Sequence, residues 1–404
     1  MKLAYFLFFV FSGIVTAAEW TQWRGPARDG TIPETPWPTT LTEANLKTAW
    51  TQEIAEGYSS PIVSKTHVFT VETKAKEKEI VRAFDRKTGK QVWERDWMGS
   101  MKVPFFAAKN GSWVRCTPAF DGDHLYVGGM KDVLVCLNAK DGSEKWRVDF
   151  VKREGTAVPG FGFASSPLID GDAIYVQAGS AVMRLDKATG EKKWESLKDD
   201  RAMYGSAFSS PVIGTIQGKK QLVVQTREML AGLDLENGEV LWKYKIKAFR
   251  GMNILTPTII GNRVFTSTYG GGTSMFEIDE DMGVSKIWVN KVDGYMSSPV
   301  VIGDFIYLHA RDKKFHCFRA SDGEKMWTSE SKYGEYWSVV ANGKRILALD
   351  ESGRLILIEA NPESFDKTAH LRVTKNPAWA HVAICGNEVF VRDLKGITKF
   401  VWAD

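Results

Sequence analysis

The chain has 404 residues, of which 44% are hydrophobic, 12% aromatic and 25% charged, and its formal net charge is +4. Lysine and arginine are interleaved with aspartate and glutamate along the whole chain, so no concentrated basic surface of the kind that binds nucleic acid is expected. The only long apolar run lies at the start of the sequence. It is shorter than the roughly 20 residues that a membrane-spanning helix needs, so the mature chain is expected to lack such a helix.

The first residues have the pattern of a secretory signal peptide. Lys2 supplies a positive start, residues 3–15 are apolar, and small residues suitable for cleavage precede Ala18. We therefore predict a signal peptide over residues 1–18 and a periplasmic or secreted mature protein. No cysteine lies near the cleavage point, so a lipid anchor at that position is not expected.

Residues 19–44 are rich in proline, tryptophan and glycine and contain Arg24, Arg28 and Asp29. This composition is typical of an irregular segment rather than of a strand. We expect the segment to lie across a surface with its indole rings buried, and we interpret the charged residues as ion-paired anchors. Strand character begins at Asn45 and continues to Trp50.

A hairpin repeat then runs through the chain, and its first copy is residues 83–93. An aspartate opens a tight turn that ends at Gly89, and Trp93 follows four residues later in the returning strand. The same spacing recurs every 40 to 55 residues, which is typical of propeller blades. The tryptophans at this outer-strand position, which we expect to dock between blades, are Trp50, Trp93, Trp146, Trp194, Trp242, Trp288 and Trp327.

Each unit opens with a second recurrent phrase, a small hydroxyl residue followed by proline, as in Ser60-Pro61 and Ser166-Pro167. Two further units begin at Trp337 and Trp379, and the last has three strands. The strand ending at Trp50 can supply its missing outer strand, which closes the ring. We therefore predict an all-β protein: an eight-bladed propeller of four-stranded antiparallel blades, closed by the N-terminal strand in the last blade.

No catalytic motif of a common hydrolase, nucleotide-binding or zinc enzyme occurs in the sequence. The four cysteines are not paired in sequence, and Cys136 and Cys317 occupy a blade position that favours a small buried side chain, so disulfides and metal-binding cysteines are not expected. The serines of the recurrent phrase repeat blade by blade. We therefore interpret them as part of the scaffold.

The turn pattern at residues 83–93 and 184–194 resembles the repeat of the pyrroloquinoline-quinone (PQQ)-like β-propellers, which include quinoprotein alcohol dehydrogenases and the BamB outer-membrane assembly factors. The opening residues 20–30 are similar to the start of BamB-like exported proteins. The resemblance implies one propeller domain over residues 19–404, in which the repeat tryptophans dock between neighbouring blades. The vicinal disulfide and the Ca²⁺ ligands that the dehydrogenases carry have no counterpart in the sequence.

The connections from each outer strand to the next inner strand are long and aromatic, and in a propeller they emerge on one face beside the channel mouth. Aromatic rings with arginine are typical of protein-binding hot spots and of pockets for planar polar ligands. We therefore predict a binding rim on this face. Its candidate residues are Tyr58, Trp113, Arg115, Phe163, Tyr204, Phe208, Arg250, Tyr295, Tyr336, Trp337, Trp379 and His381.

The leading hypothesis is an exported, non-catalytic and monomeric scaffold that binds a protein partner of the cell envelope, or an extended ligand, on this rim. No metal or cofactor is expected under that hypothesis. One alternative is a PQQ-dependent oxidoreductase, which would use PQQ and Ca²⁺. The other is a carbohydrate-binding propeller, which would use the same aromatic rim to hold a glycan.

Overall fold

The computed structural model describes residues 18–33, 36–199 and 207–403. These residues form eight four-stranded antiparallel sheets. In seven sheets the strands follow one another in chain order from the inside to the outside. In the eighth, the outer strand comes from the N-terminal region, as predicted.

The first four blades contain sixteen strands within the described residues. Blade 1 consists of Ile62–Val63, His67–Lys74, Lys78–Asp85 and Gln91–Met98. Blade 2 consists of Ala119–Phe120, His124–Gly129, Val133–Asn138 and Glu144–Asp149. Blade 3 consists of Leu168–Asp170, Ala173–Ala178, Ala181–Asp186 and Lys192–Ser196. Blade 4 consists of Val212–Ile216, Lys219–Gln225, Met229–Asp234 and Val240–Lys245.

The other four blades complete the ring. Blade 5 consists of Thr258–Ile260, Arg263–Thr268, Gly272–Ile278 and Val284–Asn290. Blade 6 consists of Val300–Ile302, Phe305–His309, Phe315–Arg319 and Lys325–Thr328. Blade 7 consists of Trp337–Asn342, Arg345–Asp350, Arg354–Glu359 and Asp366–Arg372. Blade 8 consists of Ala383–Cys385, Glu388–Arg392, Gly396–Trp402 and Leu46–Glu53.

Helices in the described residues are short and lie in connections. A five-residue α-helix, Phe150–Glu154, follows blade 2, and its N-terminus is capped by the side chain of Asp149. The segments Phe105–Asn110 and Phe249–Gly251 are 3₁₀-helical. The last two lie in the connections from blade 1 to blade 2 and from blade 4 to blade 5, on the face that carries the outer-to-inner connections.

The ring closes in blade 8, where Leu46 lies opposite Trp402 and Glu53 lies opposite Gly396. Trp50 then packs against blade 1, with its ring centroid 6.4 Å from that of Phe84. This pairing confirms the predicted closure, and the strand continues three residues beyond the predicted end at Trp50. Blade 8 therefore has four strands, like the other blades.

The outer-strand tryptophans connect neighbouring blades through one repeated contact. The indole nitrogen of Trp93 donates to the carbonyl oxygen of Ala139, which lies in the hairpin turn of the next blade, at 2.9 Å. Gly142 of that turn has a φ of +72°, and a Cβ there would come within 2.6 Å of the Trp93 ring. A glycine is therefore needed both for the turn and for the close approach of the indole. The equivalent donor–acceptor pairs are Trp50 with Arg86, Trp146 with Lys187, Trp194 with Leu235, Trp288 with Ala320 and Trp327 with Asn361.

Trp242 differs from the other outer-strand tryptophans. Its indole nitrogen donates to the side-chain oxygen of Gln221 in its own blade, at 2.6 Å. The hairpin turn of the next blade has an altered sequence, in which Gly283 lies against its own Asp279. The irregular spacing of Gly283 and Trp288 in the sequence marks this turn.

The small hydroxyl residues of the recurrent phrase link neighbouring blades around the central channel. The backbone N–H of Ser60 donates to Thr117 Oγ1 at 3.0 Å, and that of Thr117 donates to Ser166 Oγ at 3.1 Å. The proline that follows has no N–H, so the strand start has no further donor to satisfy. The same contact joins Ser166 to Ser210, Thr256 to Ser298 and His381 to Ser60.

Residues 20–32, which we call the axial plug, fill the central channel instead of lying across a surface as predicted. Trp20 exchanges two backbone hydrogen bonds with Val63 of blade 1, at 2.8 and 2.9 Å. Gly30 accepts from the backbone N–H of Ala341 in blade 7, at 2.8 Å. The inner strands have unpaired edges that face the channel, and the axial plug supplies partners for them.

Two arginines anchor the axial plug. The guanidinium of Arg28 donates to the carbonyl oxygens of Pro211, Pro167 and Ser166, at 2.9, 2.8 and 3.1 Å. Arg24 donates to the carbonyl oxygens of Pro299 and Asp29. Burial lowers the pKa of Arg28 to about 9 and that of Arg24 to about 10. The expectation of an ion pair was wrong for Arg28, because backbone carbonyls take the place of carboxylates around its guanidinium. For Arg24 the hydrogen bonds also go to carbonyl oxygens, but the charge of Asp29 acts on it.

Candidate functional site

A cavity of about 180 Å³, which we call the cup, opens on the face of the outer-to-inner connections. Trp23 of the axial plug lies at its lining, and so do Ser166 and Ser210 of the recurrent phrase. These residues belong to the channel, so the axial plug turns the channel into a cup. The other lining residues are Tyr58, Asn110, Arg115, Phe161, Ala164, Phe208, Met252, Ile254, Tyr295, Met296, Tyr336 and Trp379.

Six of the predicted rim residues line the cup, and three of them form its aromatic wall. Tyr336 and Trp379 are stacked, with ring centroids 6.2 Å apart and an interplanar angle of 8°. Tyr58 lies 5.4 Å from Trp379 on the other side. The full set of predicted residues at the cup is Tyr58, Arg115, Phe208, Tyr295, Tyr336 and Trp379.

The remaining predicted rim residues lie elsewhere. Phe163 and Trp337 are 2% and 0% exposed; Phe163 packs on Phe150 and Trp337 stacks on His309, so both belong to blade cores and neither reaches the rim. His381 is buried in the channel. Trp113 packs edge-on against Tyr58, outside the lining, and Arg250 is exposed beside the cup, next to Phe106 and Phe249. Tyr204 lies outside the described residues.

His381 contacts the axial plug rather than the cup. Its ring lies 5.9 Å from that of Trp20 and 5.4 Å from that of Trp23. Burial, with the nearby charge of Arg24, lowers the pKa of His381 to about 3. The imidazole is therefore neutral at physiological pH and acts as a packing element under the cup.

Arg115 is the cation at the cup. Its guanidinium donates to the carbonyl oxygens of Trp113 and Gly111, at 2.8 and 2.9 Å, and lies 5.6 Å from the centre of the Tyr58 ring. Burial lowers its pKa to about 10, so it stays protonated at neutral pH. Tyr58 donates its hydroxyl to the carbonyl oxygen of Asn110, and burial raises its pKa to about 12.

Arg115 is the one charged residue among the described residues that line the cup, while Glu351 and Glu335 act on Tyr58 and Tyr295 from outside the lining. The lining residues include no aspartate or glutamate, and Arg115 lies among them. Beneath them, Arg28 donates to the carbonyl oxygen of Ser166, which itself lines the cup. The cup therefore presents positive charge and hydrogen-bond donors within aromatic walls.

Beside the cup, exposed aromatic side chains form a continuous surface. Phe105, Phe106 and Phe249 are 90%, 46% and 47% exposed. Phe106 lies 6.3 Å from Phe161, and the Arg250 guanidinium lies 5.5 Å from the Phe106 ring and 5.2 Å from the Phe249 ring. We call these residues, Phe105, Phe106, Phe161, Phe249 and Arg250, the aromatic ridge.

Several of these residues were absent from the predicted rim. Trp23 was assigned to a surface segment, and only the long-range contacts of the axial plug bring it to the cup. Phe105 and Phe106, which lie in the connection from blade 1 to blade 2, are also missing from the predicted rim. The pair of consecutive phenylalanines in a connection was the signal that pointed to the aromatic ridge, because a connection has no core of its own to bury them.

The described residues include no group of three or more histidine, cysteine, aspartate or glutamate side chains that could hold a metal ion. All four cysteines are free and buried, and burial raises each thiol pKa to about 12. In the described part of the chain, no helix has the length and apolar character needed to cross a membrane.

A buried glutamate between blades 1 and 2 gives a prediction for pH dependence. Glu79 is 0% exposed and accepts from the backbone N–H of Met130 at 2.6 Å and the indole N–H of Trp97 at 2.7 Å. Burial raises its pKa from 4.5 to about 7. The stability contribution of its protonated form is therefore complete below the unfolded pKa and is lost as the pH rises through the folded pKa.

We expect the wild type to lose about 2–3 kcal/mol of unfolding free energy to Glu79 between about pH 5 and about pH 8, whereas Glu79→Gln loses none by this route. Urea unfolding of both proteins at the two pH values measures the difference, and other titrating groups cancel in the comparison. A gap between the two proteins that does not change with pH would contradict the prediction.

Comparison with known proteins places the chain in a family. A family model described as outer membrane protein assembly factor BamB matches residues 77–329. BamB of Yersinia pestis is 23% identical over 300 residues, 69% of each protein. Quinohemoprotein alcohol dehydrogenase ADH-IIG of Pseudomonas putida is 22% identical over 274 residues, 62% of this chain and 38% of the enzyme.

A solved structure shares the fold. The crystal structure of BamB from Moraxella catarrhalis superimposes with a TM-score of 0.65 and 16% identity, covering 88% of this chain and 97% of that chain. The family match extends over more than half of the sequence and over the blades that carry the repeat. The chain therefore belongs to the family of BamB-like, PQQ-like β-propellers.

Proposed function

We propose that this protein is a non-catalytic scaffold of the bacterial cell envelope that works in outer-membrane protein assembly and binds a protein partner through the aromatic ridge. The periplasm is its proposed location. The family supports the scaffold role, since its description names an outer-membrane protein assembly factor. The predicted signal peptide, which lies outside the described residues except for Ala18, agrees with the location.

The observation that carries the proposal is the exposure of large rings on one face. Phe105 leaves 90% of its surface in water although it is flanked by Phe106. Exposed clusters of aromatic rings with a neighbouring arginine are typical of the centre of protein–protein interfaces. Arg250 supplies that arginine between Phe106 and Phe249. We infer that a partner segment covers these rings.

The calcium ion of the related dehydrogenases does not suit the cup. A Ca²⁺ ion takes six to eight oxygen ligands, mostly carboxylates and carbonyl groups. The lining of the cup contains one arginine and no carboxylate, so it lacks the charged oxygen donors for such an ion. We therefore favour the scaffold over the oxidoreductase.

A photo-crosslinking amino acid placed at position 105 tests the proposal in cells. The matched control places the same amino acid at position 92, because Val92 is a 47% exposed apolar residue at the start of the outer strand of blade 1, at the hairpin end of the blade and therefore on the face opposite the aromatic ridge. We expect position 105 to capture one defined envelope protein of the assembly machinery and position 92 not to capture it.

The companion variant is Phe106→Ser with Arg250→Gln, which removes the centre of the aromatic ridge. We expect it to abolish the crosslink from position 105, corresponding to a loss of about 2 kcal/mol or more of binding free energy at a hot spot. Circular dichroism and thermal melting check that the variant is folded. The same crosslinked proteins at both positions, or an unchanged crosslink in the folded variant, would refute the proposal.

A further inference from the structure

We propose that the cup is a separate binding site for an apolar carboxylate: a molecule with one carboxylate group attached to an aromatic or hydrophobic body of about one side chain. This site lies beside the aromatic ridge, and its occupancy does not require the partner proposed above. The carboxylate binds Arg115, and the body lies against the rings of the cup.

The charge of the ligand follows from Arg115. Two of the five N–H groups of its guanidinium donate to the carbonyl oxygens of Gly111 and Trp113, which fixes the group in place. Among the described residues, Arg115 has no carboxylate in ion-pair contact. A guanidinium that is half-buried and held by neutral acceptors retains its full charge and spare donors, so an anion is the partner that it favours.

The base of the cup also offers donors. The oxygens of Ser166 and Ser210 accept the backbone N–H groups of Thr117 and Ser166. In the part of the chain that the structure describes, neither hydroxyl donates its own hydrogen to a protein acceptor, and both side chains line the cup. Each can therefore donate to an oxygen of a bound ligand.

Buried charge beneath the cup has the same sign. Arg28 lies under Ser166, and its guanidinium is surrounded by carbonyl oxygens. Arg24 lies in the same channel with carbonyl oxygens as its acceptors. The charge of Asp29 partly offsets that of Arg24, whereas no carboxylate is among the groups that act on Arg28. A buried charge acts over a longer distance than a charge in water, because the surrounding dielectric constant is low. The positive charge of Arg28 beneath Ser166 thus adds to the preference of the cup for an anion.

The side chains that form the walls of the cup determine the size and shape of the hydrophobic part of the ligand. Tyr58, Tyr336, Trp379 and Phe208 supply flat apolar faces, and Met252 and Met296 supply adaptable ones. The cavity of about 180 Å³ is smaller than the pockets of about 300–1,000 Å³ that hold drug-sized ligands. One ring with a short linker therefore suits it better than a fused polycyclic molecule, and a single arginine suits a single carboxylate.

A free aromatic acid and the C-terminal residue of a polypeptide share this chemistry. The test compares N-acetyl-L-phenylalanine with its amide, which differs from it only in the carboxylate. Calorimetry and tryptophan fluorescence measure the binding of each to the full mature chain. We expect the acid to bind at least about tenfold more tightly than the amide, as the loss of a charge-assisted pair implies. A longer peptide ending in phenylalanine separates the sources, since it binds more tightly than N-acetyl-L-phenylalanine only if a polypeptide terminus is the ligand.

The variant is Arg115→Gln, and its matched control is Arg263→Gln. Arg263 is partly exposed, pairs with Glu277 at a distance of 3.1 Å, and does not line the cup. We expect Arg115→Gln to reduce binding of the acid to the level of the amide, and Arg263→Gln to change neither. Equal binding of acid and amide by the wild type, or binding of neither at about 5 mM, would overturn the proposal even if Arg115→Gln failed to fold. The crosslink at position 105 is independent of this result, so the two proposals can fail separately.

Discussion

Arg28→Met is expected to lower the free energy of unfolding by about 3–5 kcal/mol, one of the two largest effects of any single substitution considered. Arg28 is 3% exposed, and its guanidinium serves three carbonyl oxygens of blades 3 and 4. Methionine fills much of the same space but has no donor, so the three carbonyls stay buried without partners. Each such group costs about 1–3 kcal/mol, partly offset by the removal of a buried charge.

Urea unfolding followed by tryptophan fluorescence measures this loss, with Arg263→Met as the surface control, for which we expect a change below about 0.5 kcal/mol. Amide hydrogen exchange provides a second measurement. Protection should fall in residues 18–33 and at the inner strands of blades 3 and 4. A loss below about 1 kcal/mol for Arg28→Met would show that the carbonyls find other donors, and the anchoring role assigned to Arg28 would then be wrong.

Trp50→Ala is expected to cost about 3–5 kcal/mol and to open the ring at its closing contact. Trp50 is 7% exposed and lies between Phe84 of blade 1 and Phe390 of blade 8, while its indole nitrogen donates to the carbonyl oxygen of Arg86. Alanine removes this packing and leaves a cavity between the first and last blades. Thermal or urea unfolding gives the loss in stability.

Trp93→Ala is the matched comparison, because Trp93 is 8% exposed and makes the same contact between blades 1 and 2, which are joined directly by the chain. We expect similar losses in stability for the two variants but different patterns of hydrogen exchange. Only Trp50→Ala should expose the strand Leu46–Glu53, since that strand is held by noncovalent contacts to blade 8. Equal protection of this strand in both variants would contradict the assignment of Trp50 as the closing contact.

The architecture could be predicted because its determinants are local and repeated. A turn glycine four residues before a tryptophan defines a hairpin and the side chain that joins it to its neighbour, and both belong to the same short stretch of sequence. The closure followed from counting strands in the last unit. The register of Leu46 against Trp402 then confirmed it.

The axial plug could not be predicted in the same way. Arg28 finds its acceptors 138 to 183 residues further along the chain, and these acceptors are backbone carbonyls that any residue could provide. A charged side chain in sequence suggests a carboxylate partner or solvent, and nothing local indicates a buried ring of carbonyl oxygens. The position of Trp23 at the cup depends on the same contacts.

The burial of Phe163 and Trp337 was also beyond the sequence pattern. Both follow long connections, and a shift of one or two residues decides whether a ring points into the blade or towards the mouth. Phe163 packs on Phe150 of the short helix, which the hairpin repeat does not encode. Tyr58 and Trp379 occupy equivalent positions in their own blades, two residues before Ser60 and His381, and both line the cup.

The axial plug has a consequence for the order in which the molecule matures. Residues near the beginning of the chain pair with Pro299 and Ala341, and the strand Leu46–Glu53 pairs with Gly396–Trp402. Neither set of contacts can form until most of the polypeptide is available for folding. The N-terminal residues must therefore stay unpaired while the later blades fold around them. Topologies dominated by such distant pairings acquire their native state slowly. A chain truncated before these partners would therefore have neither the contacts of the axial plug nor a closed ring, and proteases would degrade it readily.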